Sequence, residues 1–278
     1  MSLALTPVGP LTATALLAWR ELRFRLGSVW FWAVSSATCL MAWGYGGGFV
    51  ASFATESVIV TTDPLLAVNA MVVVFLGIVL GLRLAASMAW EREHRTLEIL
   101  LIGPVGWATI IAAKALVEAA VLALLVLIFA LYLVLAQPLG AGVVGLHELG
   151  GLILVPASAL PVMAAGLVVG AGLATVRAAV VAFLVLFGFL AAIEVAYALL
   201  IAQPVDQQSL TGLYIRHALE LAMPILDLIS PARTLAIPIR SLTLQSPVLP
   251  MQIVLPLAQT ALLLAVAVVV GRLRGALR

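Results

Sequence analysis

Residues 107–135 read WATIIAAKALVEAAVLALLVLIFALYLVL, a run in which Lys114 and Glu118 are the only charged side chains. A helix crosses the hydrocarbon core of a bilayer with about 20 apolar residues, and this run exceeds that length. Working outward from it, five more such stretches emerge, at about 28–50, 64–90, 151–176, 178–201 and 251–270. The first lies in a segment with no charge between Arg25 and Glu56. Trp30, Trp32, Trp43 and Tyr45 bracket it as interfacial aromatic belts do. Gly46, Gly47 and Gly48 predict a helix break near its far end, since each Gly weakens a helix by about 1 kcal/mol relative to Ala. In the second stretch Arg83 can snorkel toward the nearer face. Pro156 and Pro161 predict a kink in the fourth, which Ala165, Gly166, Gly170, Gly172 and Ala174 line with small residues suited to close helix approach.

Composition points the same way. Of 278 residues 64% are hydrophobic and 9% charged, a balance that soluble domains do not show. The expected fold class is therefore an all-α polytopic membrane protein, a single transmembrane domain over 1–278 with six transmembrane helices. An N-terminal helix over 11–26 places Leu11, Ala15, Trp19, Leu22 and Leu26 on one stripe, with Arg20, Glu21 and Arg25 elsewhere on the wheel. A Trp-bearing, Arg-rich helix ahead of a span predicts an interfacial position. The net charge of +2 comes from basic residues beside apolar runs, where they set orientation, so no nucleic-acid partner is expected.

Lys and Arg divide unevenly between the two sides of these spans. Arg20, Arg23, Arg25, Arg83, Arg92, Arg95, Lys114, Arg177, Arg272, Arg274 and Arg278 fall on one side, against Arg216, Arg233 and Arg240 on the other. The excess marks the cytoplasmic face, which predicts both termini inside. The uncharged first 19 residues, with basic residues behind rather than ahead of them, predict a retained N-terminus. Short external loops are expected near 51–63 and 136–150, and a long external segment over 202–250. Leu210–Ile229 is apolar, but Arg216, Glu220 and Asp227 would each cost roughly 2.5–3.5 kcal/mol at the centre of a span. The expectation is a short external or re-entrant helical pair before the last span, with Pro224, Pro231, Pro238, Pro247 and Pro250 dividing the remainder.

Catalytic motifs fail one by one. His147-Glu148-Leu149 opens like a zinc-protease helix but has Gly151 where the second His is needed, and His94, His147 and His217 sit in separate segments. Cys39 is the single cysteine, so neither an intrachain disulfide nor a thiol-ligated metal cluster is expected. No Gly-x-Ser-x-Gly elbow occurs, and the one lysine, Lys114, follows Ala113 rather than the glycine of a phosphate-binding loop. No catalytic residue, metal or cofactor is expected in this chain, and it is not expected to be an enzyme.

Between the second and third spans lies Glu91-Arg92-Glu93-His94-Arg95-Thr96-Leu97-Glu98-Ile99-Leu100-Leu101-Ile102-Gly103-Pro104-Val105. It reads as a short amphipathic helix. Thr96 is placed to cap it, Glu98 falls in the first turn where the helix dipole favours anions, and Pro104 ends it. Leu97, Leu100 and Leu101 share a face, leaving the charged cluster upstream free for a partner. This stretch resembles the Glu-Arg-Glu-x-Gly-Thr-Leu-Glu-x-Leu-Leu-x-x-Pro-Val signature of the ABC type-2 membrane permease family. Glu91, Arg92, Glu93, Thr96, Leu97, Glu98, Leu100, Leu101, Pro104 and Val105 match, and Arg95 replaces the usual Gly. Arg20-Glu21-Leu22 looks like the opening of that family. Ile229-Ser230-Pro231 is similar to a feature of its gliding-motility and copper-site-maturation branch.

The resemblance implies the permease subunit of an ATP-driven exporter in a bacterial plasma or inner membrane. Its expected partners are cytoplasmic ABC ATPase subunits that bind the ATP, a second permease copy in a homo- or heterodimer, the lipid bilayer and an external protein. Residues 91–104 would couple ATPase closure to the spans. Two alternatives stand beside this: a membrane anchor that transmits force to an external protein without moving a solute, and an ATP-independent carrier or channel. Two charged features remain. Lys114 and Glu118, four residues apart, can pair on one helix face or let Lys114 snorkel, a structural role. Glu194, acidic and deep in the fifth span with no basic residue three or four positions away, is the candidate for a translocation path.

Overall fold

A computed structural model describes residues 9–56, 64–97, 106–136, 146–202, 209–235 and 250–276. The described residues form helices and no strands: α1 Pro10–Leu26, α2 Val29–Glu56, α3 Pro64–Glu93, α4 Trp107–Ala136, α5 Leu146–Gly172, α6 Val176–Ala202, α7 Leu210–Ile229, α8 Pro231–Thr234 and α9 Pro250–Ala276. Four stretches are long and apolar enough to cross a membrane: Met71–Glu93, Trp107–Leu135, Val176–Ile201 and Gln252–Arg274. A fifth candidate joins Leu11–Leu26 to Val29–Gly44 across a 65° bend. The chain is thus an all-α protein with four to five candidate spans. In α5 the described apolar stretch, Pro156–Gly172, is shorter.

Several local expectations change. α2 continues through Gly46, Gly47 and Gly48 without a break. The outlying glycines cost helix propensity, but a backbone N–H released into lipid would cost several kcal/mol, so the helix persists. α5 carries Pro156 and Pro161 inside one continuous helix, which leaves the expected kink neither met nor excluded by continuity alone. In the segment before the last span, α7 is a single helix that runs past Pro224, while Pro231 and Pro250 each begin a helix rather than interrupt one. Ser209 caps α7, its hydroxyl accepting from the Gly212 N–H at 3.2 Å.

The core lies where α3 and α5 meet, with α9, α6 and α4 around them. The small residues of α5 are why. A methyl at Gly166 would overlap the Gly81 carbonyl, and one at Gly170 would lie 2.6 Å from the Ala85 carbonyl oxygen. Only the absence of a Cβ lets these backbones approach so closely. Beside them Leu76, Leu80, Leu84, Met88, Met163 and Leu167 are fully buried. Gly271 of α9 provides the same relief against the Trp107 ring, 2.6 Å from where a Cβ would stand.

α1 is built in reverse of a soluble amphipathic helix. Leu11, Leu16, Trp19 and Phe24 point outward, while Ala18, Leu22 and Leu26 join the core and the charged Glu21 and Arg25 turn toward α4. The stripe read from the sequence is thereby divided, Leu11, Ala15 and Trp19 outside and Leu22 and Leu26 against the bundle.

Candidate functional site

The C-terminal end of α3 carries the first three residues of the 91–105 stretch, and the described part of that stretch, 91–97, folds back on the bundle. α3 ends at Glu93, His94 and Arg95 make a turn, and Thr96 and Leu97 resume helical structure. Arg95 has φ 56°, the only positive φ at a non-glycine among the described residues. That left-handed conformation costs an L-residue with a side chain roughly 1–2 kcal/mol, and glycine nothing. It stands where the family signature has Gly.

The acidic-basic triplet before the turn is bonded within the chain rather than free. Glu91 Oε1 meets Lys114 Nζ of α4 at 2.7 Å. Arg92 Nη1 donates to the Leu173 carbonyl at 3.2 Å, with its guanidinium 5.8 Å from the Trp107 ring centre. Glu93 Oε2 accepts from the Val176 N–H at 3.1 Å. Glu93 thus supplies an acceptor to the first turn of α6 from another helix, where the exposed N–H groups and the helix dipole favour an anion. Arg92 and Glu93 thereby fasten the turn to the α5–α6 corner. Thr96 uses its hydroxyl to donate to the Glu91 carbonyl at 3.0 Å, closing the end of α3. Leu97 is buried at 4% exposure and belongs to the core. What faces outward is Trp90, stacked on His94 with ring centres 4.3 Å apart, together with Arg95. Glu98, Leu100, Leu101 and Pro104 lie outside the described residues.

Behind this turn, at the same end of the bundle, six charged side chains from three helices form a continuous network. From Glu91 and Lys114 it passes to Glu21 Oε1, 3.5 Å from Lys114 Nζ and 2.9 Å from Arg25 Nη2. It then reaches Glu118 Oε1, 3.6 Å from Arg25 Nη2 and 3.7 Å from Arg83 Nε. Arg83 does not snorkel: its guanidinium stacks 3.5 Å from the centre of the Trp30 ring. Nor do Lys114 and Glu118 pair with each other; each reaches a different neighbour. Three carboxylates balance three cations, which offsets the cost of holding these charges in a partly buried site. The network borders a cavity of about 740 Å³ between α1, α3 and α4, whose wall also includes Leu17, Arg20, Phe24, Ala86, Ser87 and Trp90.

Sequence reasoning missed the network because its members come from α1, α3 and α4, and only the i,i+4 relation within each helix is visible in one dimension. One signal was available: three acids and three bases all lie within about two or three turns of helix ends on the side rich in Arg.

Glu194 has a partner that spacing could not supply. Its Oε2 lies 3.6 Å from Arg233 Nη1, which arrives on α8 from the segment before the last helix. Next to it Thr234 is buried and its hydroxyl donates to the Pro231 carbonyl at 2.7 Å and lies 3.1 Å from the Ser158 carbonyl of α5. Leu235 packs over Gly77 of α3. The Ser230-Pro231 step thus begins a short helix sunk into the bundle end opposite the charged network. Among the described residues no group of three or more His, Cys, Asp or Glu side chains could hold a metal ion.

Compared with protein-family models and with curated proteins, the chain finds no match.

Proposed function

We propose that this chain is the permease subunit of an ATP-driven ABC exporter, crossing a bacterial inner membrane six times with both termini in the cytoplasm. One observation carries the reading: the left-handed turn at Arg95, at the signature position where glycine is usual. A pattern that specifies Gly, Thr and two flanking carboxylates is a geometric prescription, and here each named residue does a matching job. Arg95 takes the glycine conformation, Thr96 closes α3, Glu91 holds α4 and Glu93 holds α6.

In this reading the segment 91–104 is a lever. An ATPase subunit docked on the exposed face of Trp90, His94 and Arg95 would pull on α3, α4 and α6 together. ATP-driven closure would then bias the bundle between two packings. The basic residues gathered at this end, from Arg25 and Arg83 to Lys114, agree with a cytoplasmic position. Glu194, tied to Arg233, sits at the other end, where cargo would leave. A second copy of the permease completes the pathway.

A second reading, a subunit that transmits force to an external protein, is favoured by α7, which exposes Leu210, Tyr214, Ile215, Leu221 and Ile225. Co-purification from native membranes tests the shared element. Arg95→Glu reverses an exposed charge without touching the core, and is expected to lower the yield of co-purified ATPase at least tenfold while the permease itself folds. Leu97 is unsuited to this test because an Asp there would disrupt packing. Undiminished ATPase recovery from Arg95→Glu would remove this turn from the docking surface.

A further inference from the structure

We infer that the outward face of α1 docks on an anionic lipid leaflet, with Arg20 and Arg23 at the headgroup phosphates and Leu16, Trp19 and Phe24 toward the acyl chains. This goes beyond the proposed export function and does not depend on an ATPase partner. The inner side of α1 is electrically closed: Glu21 and Arg25 belong to the network in which Glu21, Glu91 and Glu118 offset Arg25, Arg83 and Lys114. The outward charge of the helix is therefore that of Arg20 and Arg23, both exposed. Among the described residues no carboxylate lies within ion-pair distance of either. Two accessible cations without a counter-ion in the protein call for an anion outside it.

The apolar side chains around them say which kind of anion. Leu11, Leu16, Trp19 and Phe24 are each more than half exposed. Arg20 follows Leu16 by four residues and Arg23 follows Trp19 by four, so each cation stands one turn beyond an apolar side chain on the same face. An arginine in that place lays its stem along apolar surface and carries the guanidinium to the level of the phosphates, the depth at which Trp also settles. A soluble anion would meet the arginines and leave the apolar strip in water. A lipid leaflet takes both.

The placement of the helix agrees. α1 meets the Val29–Gly44 part of α2 at 65°, so with α2 crossing the bilayer α1 lies nearer the membrane plane than its normal. The apolar surface continues past the bend through the exposed Val29 and Trp32. On its inner side α1 is held to α4 by Glu21 with Lys114 at 3.5 Å and by Arg25 with Glu118 at 3.6 Å, which fixes the face that looks out. At the strength ordinary for basic side chains near an anionic leaflet, two arginines correspond to about a thirtyfold preference over a neutral one.

The test uses the full chain in vesicles of phosphatidylcholine mixed with phosphatidylglycerol. A photoactivatable phosphatidylglycerol is crosslinked to it, and the adduct on the peptide that carries α1 is measured while unlabelled phosphatidylglycerol or phosphatidylcholine competes. Phosphatidylglycerol is expected to compete at least tenfold better, and Arg20→Gln combined with Arg23→Gln should bring the ratio close to one. A nitroxide attached through Leu16→Cys, in a Cys39→Ser background, should be reached by oxygen in preference to a water-soluble nickel chelate. Should the double arginine variant fail to fold, the competition on the unaltered chain and the nitroxide decide. Equal competition by the two lipids would overturn the proposal, and so would a folded double variant that keeps the ratio. A nitroxide open to the nickel chelate would put this face in water, and strong dipolar broadening between nitroxides of neighbouring chains would cover it with a second copy; either result overturns the proposal as well.

Discussion

Removing Lys114 tests the charged network at its tightest link. Its side chain is 3% exposed, and its ammonium lies 2.7 Å from Glu91 and 3.5 Å from Glu21. At 2.7 Å and an effective dielectric constant of about 20, the Glu91 attraction is about 6 kcal/mol before desolvation of both groups is charged against it. The net worth of the pair is far smaller, but Lys114→Met would leave two carboxylates facing apolar carbon, and breaking a buried pair costs about 3–5 kcal/mol. Glu91 keeps one-fifth of its side chain exposed, so the lower end applies, about 3 kcal/mol. Adding Glu91→Gln removes the stranded charge, while Glu21 retains Arg25 at 2.9 Å. The double variant should therefore recover most of the loss, with a coupling energy of about 2 kcal/mol. Unfolding by SDS titration in mixed micelles measures all four species of the cycle. If Lys114→Met costs less than about 0.5 kcal/mol, or the two substitutions simply add, the side chains do not form the pair and the reasoning fails.

Three other perturbations probe separate parts of the account. Gly170→Leu should destabilise by at least about 1–3 kcal/mol in the same titration, because its Cβ alone would meet the Ala85 carbonyl at 2.6 Å, whereas Gly188→Ala, with nothing within 4 Å, should change little. Arg95→Gly relieves the positive φ and should stabilise by about 1 kcal/mol; a loss of stability would mean that the turn is held by the arginine side chain. A reporter fused near Gln207 should give an extracytoplasmic signal, and a cytoplasmic one would contradict the six-span topology.

The helical architecture was largely legible because lipid imposes a single demand, an unbroken apolar run of sufficient length, and the sequence states it plainly at 107–135. Helix ends were less so. α3 runs to Glu93 and α9 to Ala276, past the apolar stretches, since a helix continues into water until a turn such as His94-Arg95 stops it. The glycine triplet misled. Gly46 to Gly48 weaken a helix in water, yet α2 persists through them, as backbone hydrogen bonds are worth more where no water replaces them. The signature residues were legible in identity but not in orientation. Glu91 and Leu97 read alike along the chain, and only the folded placement pairs Glu91 with Lys114 of α4 and buries Leu97. The ion pair of Glu194 with Arg233 spans 39 positions, beyond any local pattern.

The central claim is that the turn after α3 meets a separate ATPase. A photo-crosslinking amino acid placed at position 95 of the full chain, in membranes of its own cell, tests this most directly. Irradiation should yield an adduct with an ATP-binding protein that carries a phosphate-binding loop, and its yield should change when that protein is trapped with nucleotide. Adducts with lipid alone, or with proteins that bind no nucleotide, would contradict the account.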